Sequence, residues 1–225
     1  MAYTERPVTA MNPWLVRREP RQVKGITVHS TRSGISDGDD GPRTERWMGN
    51  AVNVSGSGTW GSSCDVIIFE DGTRVICTDF DNEWPSYGAG YGGTITGTFP
   101  LSKYHLQVEM AQGVPSDIFT DDQYRSFSEF AYGVAARFGF PLIYLPFVDQ
   151  SLLDPVPCGI SRHDLCANGH RLGKSDPGAM WSETRSILSL TPAPNETVVR
   201  LTELERRVGD LERDALKRGD SATLT

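Results

Sequence analysis

The stretch KYHLQVEMAQGVPSDIFTDDQYRSFSEFAYGVAARFG, residues 103–139, decides the fold class. Its first part, 103–111, alternates with period two, so Leu106, Val108 and Met110 face one way and His105, Gln107 and Glu109 the other, as in a strand. Thr120-Asp-Asp-Gln123 then has the form of a capping box. Behind it Tyr124, Phe127, Phe130, Ala131, Val134 and Phe138 recur at helical spacing up to Gly139. A strand feeding a long amphipathic helix predicts an α/β fold.

Working outward, residues 25–31 (GITVHST) form a second alternating strand, with Ile26 and Val28 on one face and Thr27 and His29 on the other. A hairpin is expected from 64–69 and 73–78 around Asp71-Gly72, a strong turn signal. A two-residue turn there sets Cys77 opposite Val66, with Cys64 on the same side but diagonally displaced. Diagonal neighbours lie roughly 7–8 Å apart, at or beyond the disulfide limit of about 7 Å, so free thiols are expected. The remaining expectations are an extended lead-in over 1–22, a turn-rich loop over 32–41, a short helix over 42–51 opening at Pro42 and a loop over 82–100. After these come a Pro-rich loop over 140–158, a short strand or loop over 159–165 and a helix over 179–190. Residues 191–195 read as a linker. Over 196–218, Leu201, Leu204, Val208, Leu211 and Ala215 form a heptad seam flanked by Glu and Arg, and 219–225 read as a disordered tail.

The chain of 225 residues has room for one large domain and an appendage. Hydrophobic content of 38% suffices for a core, while 23 Gly and 14 Pro make the chain loop-rich, which excludes fibrous and low-complexity readings. A net charge of −7 without a dense Lys/Arg cluster argues against nucleic acid as a partner. No window is apolar enough to span a membrane, and the N-terminus (MAYTERPVTAMNPWLVRREP) has charges and prolines where a secretion signal needs an apolar run. Synthesis in the cytoplasm without a signal peptide is the expectation. Four cysteines without a CxxC are too few for a disulfide scaffold.

Of the four histidines, His29 ends an apolar strand on its non-core face, and His163 precedes the loop Gly173-Lys174-Ser175-Asp176-Pro177-Gly178. A hydrolytic zinc site takes three His or carboxylate ligands and keeps a fourth position for water, a set that His29, His163 and Asp176 can supply. A lone strand-end histidine is more often a hydrogen-bonded structural residue, and spacing alone leaves both readings open. Glu109 has the same ambiguity: a carboxylate for proton transfer, or part of a solvated strand face. A Ser-His-Asp hydrolase built on Ser30 or Ser161 lacks the Gly-x-Ser-x-Gly elbow.

Seven blocks, ITVHST (26–31), CDVIIFEDGTRV (64–75), EWPSYGAG (83–90), HLQVEM (105–110), FTDDQY (119–124), GISRHDL (159–165) and GKSDPG (173–178), occur in an order that resembles the zinc-dependent N-acetylmuramoyl-L-alanine amidases of type 2, which share a fold with peptidoglycan-recognition proteins and amidase-type phage lysozymes. The resemblance spans residues 23–190. It implies a mixed central sheet flanked by helices, Zn2+ held by His29, His163 and Asp176, Lys174 as oxyanion stabiliser, and Glu109 as the group that activates or orients water. It also implies peptidoglycan as substrate and cleavage of the amide between N-acetylmuramic acid and L-alanine. The setting it suggests is a phage endolysin that reaches the wall after holin-mediated release. The alternatives are a cytosolic recycling amidase and a non-catalytic peptidoglycan-binding module; modules of the latter kind typically lack the third ligand. The chain departs from the family pattern in having Cys64-Asp65 where a tyrosine or small residue precedes a histidine, in lacking a histidine in the Trp84-Pro-Ser-Tyr-Gly-Ala-Gly90 loop, and in a longer stretch between His163 and Asp176 that contains Cys166 and His170. Cys166 reads as buried packing and His170 as loop surface; Cys158 and Cys166 flank His163 and pair only under oxidising conditions.

The heptad seam is too short to persist alone in water, so it needs a partner. Residues 196–218 are expected to associate with a second copy, as a parallel pair, the rival being a tail folded back on the chain's own domain. Light scattering should then show the full chain as a dimer or larger and a chain ending near Leu190 as a monomer; two monomers would remove the coiled-coil reading.

Overall fold

The computed structural model describes residues 4–7, 16–32, 34, 37–38, 40–50 (the last four as backbone only), 63–85, 101–146, 157–166 and 173–188. The chain divides into two units, Met1–Ser189 and Leu190–Thr225, and the second, with the expected linker and heptad helix, lies outside the described residues. In chain order the first unit contains β1 (Glu5–Pro7), β2 (Val16–Arg18), β3 (Gly25–Ser30), α1 (Asp40–Asn50), β4 (Val66–Ile68), β5 (Arg74–Ile76), β6 (Glu83–Pro85), β7 (His105–Met110), α2 (Asp121–Phe138), β8 (Gly159–Arg162) and α3 (Glu183–Leu188). Six strands form a mixed sheet in the order β1-β5-β4-β7-β3-β8, and β2 and β6 form a separate antiparallel pair. The strands β4, β7, β3 and β8 run parallel, while β5 runs antiparallel to β4. This is the α/β fold expected of the sequence, a mixed sheet with flanking helices.

The apolar face of the central strands holds the main core. Ile26, Val28, Leu106, Val108, Met110 and Ile160 pack there with Phe127, Phe130 and Val134 of α2. Helix α2 starts in the expected capping box, with Gln123 N donating to Thr120 Oγ1 at 3.0 Å and Thr120 N donating to Gln123 Oε1 at 2.9 Å. It stops at Gly139, whose φ of 75° is the left-handed conformation glycine tolerates. Trp181 closes the far side of this core, with its ring 5.2 and 5.3 Å from those of Phe127 and Phe119 in edge-to-face contacts. A smaller cluster of Cys64, Ile67, Phe69, Val75 and Cys77 lies on the opposite face of β4 and β5. Helix α1 packs there, with Gly41 so close to the Phe69 ring that a Cβ would meet it at 2.3 Å.

Three details depart from the sequence reading. The hairpin loop has three residues, Glu70 to Gly72, closed by Gly72 N to Phe69 O at 2.9 Å, with Gly72 at φ 83°. The extra residue shifts the register by one, so Cys77 N donates to Asp65 O rather than lying opposite Val66. The Cys64 and Cys77 sulfurs are 3.9 Å apart and neither is in a disulfide. Helix α1 starts at Asp40, two residues before Pro42, because proline is tolerated in a first turn where backbone N–H groups have no helical partner. Residues 83–85, expected as loop, are β6, which pairs with β2 of the lead-in.

The polar face of the central strands is not solvated. Both β3 and β7 are buried at every position, because each lies between parallel neighbours and is covered on both sides. Thr27, His105, Gln107 and Ser161 are fully buried, and Arg21 from the lead-in reaches in to pair with Asp65 at 3.0 Å, both side chains having no exposure. Arg21 also donates to the Phe80 and Ser102 carbonyls, and Asp65 accepts from Gln107 N at 2.7 Å. Removing one member of such a pair costs about 3–5 kcal/mol, since the other is left buried and uncompensated.

His105 shows how this face is satisfied. Its Nε2 donates to the Pro157 carbonyl at 2.9 Å, and Nδ1 lies 3.2 Å from both the Thr27 and Ser161 hydroxyls. Burial pushes its pKa down from 6.5 to about 4, so the folded protein holds a neutral ring. The unfolded chain takes up the proton first, so this contribution to stability is complete above about pH 6.5 and is lost as pH falls towards 4. Urea unfolding of the wild type and of His105→Gln at pH 7 and pH 4.5 should show the wild type losing about 2–3 kcal/mol more than the variant. Equal losses would mean that His105 titrates as it does in water.

Candidate metal centre

Parallel strands present their carboxyl ends along one edge, and the site lies there. His29 is the penultimate residue of β3, and His163 follows the last residue of β8 in a 3₁₀ turn, His163–Leu165. Asp176 comes from the Gly173–Gly178 loop, which is tied down by its own carbonyl accepting from Asp164 N at 2.9 Å and by Arg32 donating to the Ser175 hydroxyl at 2.6 Å. Asp176 Oδ2 lies 2.8 Å from His163 Nδ1 and 3.3 Å from His29 Nδ1, and the two imidazole rings are 4.5 Å apart at 64°. His29 and His163 are buried and Asp176 is partly so.

The electrostatics favour a cation at the point these atoms share. Burial, reinforced by the neighbouring His163, pushes His29 down to about 4, so its ring is neutral near pH 7. Burial alone would raise Asp176, but the hydrogen bond from His163 and the closeness of His29 outweigh this and hold it well below the usual carboxylate range. The set is therefore two imidazoles and an ionised carboxylate whose ligand atoms all lie within 4.8 Å of one another, and it is the only such cluster among the described residues. Ligands at about 2.0–2.1 Å from a tetrahedral zinc stand roughly 3.3 Å apart, against 2.8 and 3.3 Å from Asp176 Oδ2 to the two ring nitrogens. Two nitrogens and one oxygen are also the donor types zinc accepts, so the residues present fit that metal.

Glu109 is the register partner of His29 across β3 and β7. It is 6% exposed, and its Oε2 has no hydrogen-bond partner. Burial, then repulsion from Asp176, pushes its pKa up to about 8, with the Lys174 charge acting in the other direction. Lys174 is exposed in the loop that supplies Asp176.

The five residues singled out in the sequence thus come from three strand ends and one loop at a single edge. Cys166 is fully buried, donates to the Arg162 carbonyl and packs against Leu101, and burial pushes its thiol up to about 12. Cys158 is exposed and, like Cys166, not in a disulfide, while His170 lies outside the described residues. Sequence reasoning missed Gln107, whose Oε1 accepts from His29 Nε2 at 3.0 Å, and the Arg21–Asp65 pair beneath it. The signal was present in the alternation of 103–111: a polar face on a strand buried between parallel neighbours has to be paired internally.

No family profile and no curated protein matches the chain. Among solved structures, the Staphylococcus aureus hydrolase AmiA, in complex with its ligand, superposes with a TM-score of 0.49 at 13% identity, covering 84% of this chain and 77% of that one. The N-acetylmuramoyl-L-alanine amidase LysC from Clostridium intestinale URNW gives 0.48 at 13% identity, with 84% and 97% covered. An AmpD derivative gives 0.47 at 16% identity, with 84% and 94% covered. At such scores the functional reading of the site rests on its own geometry and on the sequence blocks.

Zinc loading followed by dialysis should leave about one ion per chain. Because the ion binds the folded state, chelation should lower the thermal midpoint. His163→Ala and Asp176→Ala should lose both the ion and the chelator effect. A wild-type midpoint indifferent to chelator would remove metal binding from this set.

Proposed function

We propose that the protein is a zinc-dependent amide hydrolase that cleaves the bond between N-acetylmuramic acid and L-alanine in peptidoglycan. The observation that carries this reading is the convergence of His29, His163 and Asp176 beside a buried Glu109 oxygen that has no partner. A set built only to stabilise the fold would satisfy that carboxylate; one built to handle protons leaves it available.

Bound zinc supplies a polarised carbonyl and a water whose pKa falls towards 7. The chain's own groups do the rest. Glu109 Oε2 takes the proton from the attacking water and returns it to the leaving amine, and a pKa raised towards the working pH suits both transfers. Zinc held by His29, His163 and Asp176 would lower that value. Lys174, exposed at the rim, donates to the oxygen on which negative charge develops. No covalent nucleophile is needed, and the Ser161 hydroxyl, buried against Thr27 and His105, is not placed to act as one.

The substrate follows from the ordered sequence blocks, which resemble wall amidases from β3 to the Asp176 loop. A phage endolysin acting on the wall after release by a holin is the setting this supports. No helix among the described residues is long and apolar enough to cross a membrane.

Digestion of purified wall should release new amino termini of alanine without new reducing ends. Glu109→Gln should keep its zinc and lose about 10²–10⁴-fold in turnover, and Lys174→Ala about 10²–10³-fold. A wild type that sediments with wall and releases no amine would be a binding module; a Glu109→Gln protein with normal turnover would take Glu109 out of the reaction.

A further inference from the structure

We infer that Gln107 is a positioning residue that fixes which nitrogen of His29 carries its proton, and thereby keeps the metal-facing nitrogen free. This rests on the metal reading of the site for its functional consequence but not for its geometry. Gln107 is fully buried on β7, two residues before Glu109. Its side-chain Nε2 donates to the His105 carbonyl at 2.9 Å. A carbonyl only accepts, so this contact settles the orientation of the amide and leaves Oε1 as the atom facing His29. The 3.0 Å contact between Gln107 Oε1 and His29 Nε2 therefore has one sense: Nε2 holds the hydrogen and donates it.

A neutral imidazole has one N–H, so fixing it on Nε2 leaves Nδ1 with a lone pair. Nδ1 is the atom 3.3 Å from Asp176 Oδ2, on the side of His163 Nδ1. In the absence of a metal the Asp176 carboxylate pulls in the opposite sense, because a proton on Nδ1 would give a charge-assisted hydrogen bond to it. That tautomer would block the lone pair a metal needs and leave Nε2 as a buried acceptor facing another acceptor, Gln107 Oε1. Gln107 decides this competition. It is itself held from behind: its backbone N–H donates to Asp65 Oδ2 at 2.7 Å, and Asp65 is pinned by Arg21. A purely structural reading, in which Gln107 is one more satisfied buried amide, predicts an effect on stability alone.

The test uses the full chain, with Gln107→Met as the length-matched variant that cannot accept from Nε2 and Gln107→Glu as the conservative one that can. The imidazole nitrogen shifts of His29 in the labelled, metal-free protein report the tautomer, and zinc titration reports affinity. The expected result is Nε2–H in the wild type, a shift towards Nδ1–H in Gln107→Met with roughly 10–100-fold weaker zinc binding, and recovery of both in Gln107→Glu. Wild-type Nδ1–H overturns the inference, as does a Gln107→Met protein with unchanged tautomer and unchanged affinity. If the Met variant does not fold, the wild-type tautomer alone decides. A wild type that is Nε2–H, loses it in the Met variant and binds no zinc upholds the role of Gln107 and overturns the metal reading instead.

Discussion

Burial of the polar face of β3, β7 and β8 is the constraint on which the rest of the structure depends. Thr27, His29, His105, Gln107, Glu109 and Ser161 are carried on strands with parallel neighbours, and all of them are buried. A buried polar group without a partner costs about 1–3 kcal/mol, so each of these side chains has to be satisfied by another or by the backbone. All but Glu109 are satisfied in a line that runs along the strands. It starts at the Pro157 carbonyl, passes through His105 to the Thr27 and Ser161 hydroxyls, returns through the His105 carbonyl to the Gln107 amide, and reaches His29, Asp176 and His163 at the carboxyl edge.

The line is closed at one end and open at the other. At the His105 end both ring nitrogens have neutral partners and the protein gains rigidity. At the His29 end two imidazoles meet an ionised carboxylate, and Glu109 adds an oxygen that nothing in the described chain satisfies. The same burial that lowers His105 and His29 raises Glu109, because a low-dielectric surrounding disfavours whichever form is charged. Histidines that stay neutral and a carboxyl that binds its proton tightly are therefore consequences of one physical cause, and both suit a site that holds a cation and moves a proton beside it.

Precision at that edge is supplied from a distance in sequence. Arg21, in the lead-in, anchors Asp65; Asp65 holds the Gln107 backbone; Gln107 holds His29. On the other side Arg32, just past the end of β3, grips Ser175, and Asp164 N holds the Asp176 carbonyl. Asp176 is thus fixed by the two strands whose histidines it joins, which is how a loop residue keeps a defined placement.

Much of this was legible in the residues themselves. The alternation of 25–31 and 103–111, the capping box at Thr120 and the helical spacing of 124–138 determined the strands, the long helix and the faces they bury, because those periods are properties of the backbone alone. The ordered blocks single out His29, Glu109, His163, Lys174 and Asp176. The sequence could not say that the second face of β7 is buried as deeply as the first, since a polar strand face reads the same whether it meets water or other polar groups. Nor could it give the one-residue shift in the hairpin, which the positive φ of Gly72 sets, or the pairing of Arg21 with Asp65 across 44 residues. Gln107 is the clearest case. In the sequence it is a polar residue on a strand; only when β3 and β7 lie side by side does its carbonyl oxygen meet His29, because hydrogen bonds act over about 3 Å and the chain fixes such distances only after it has folded.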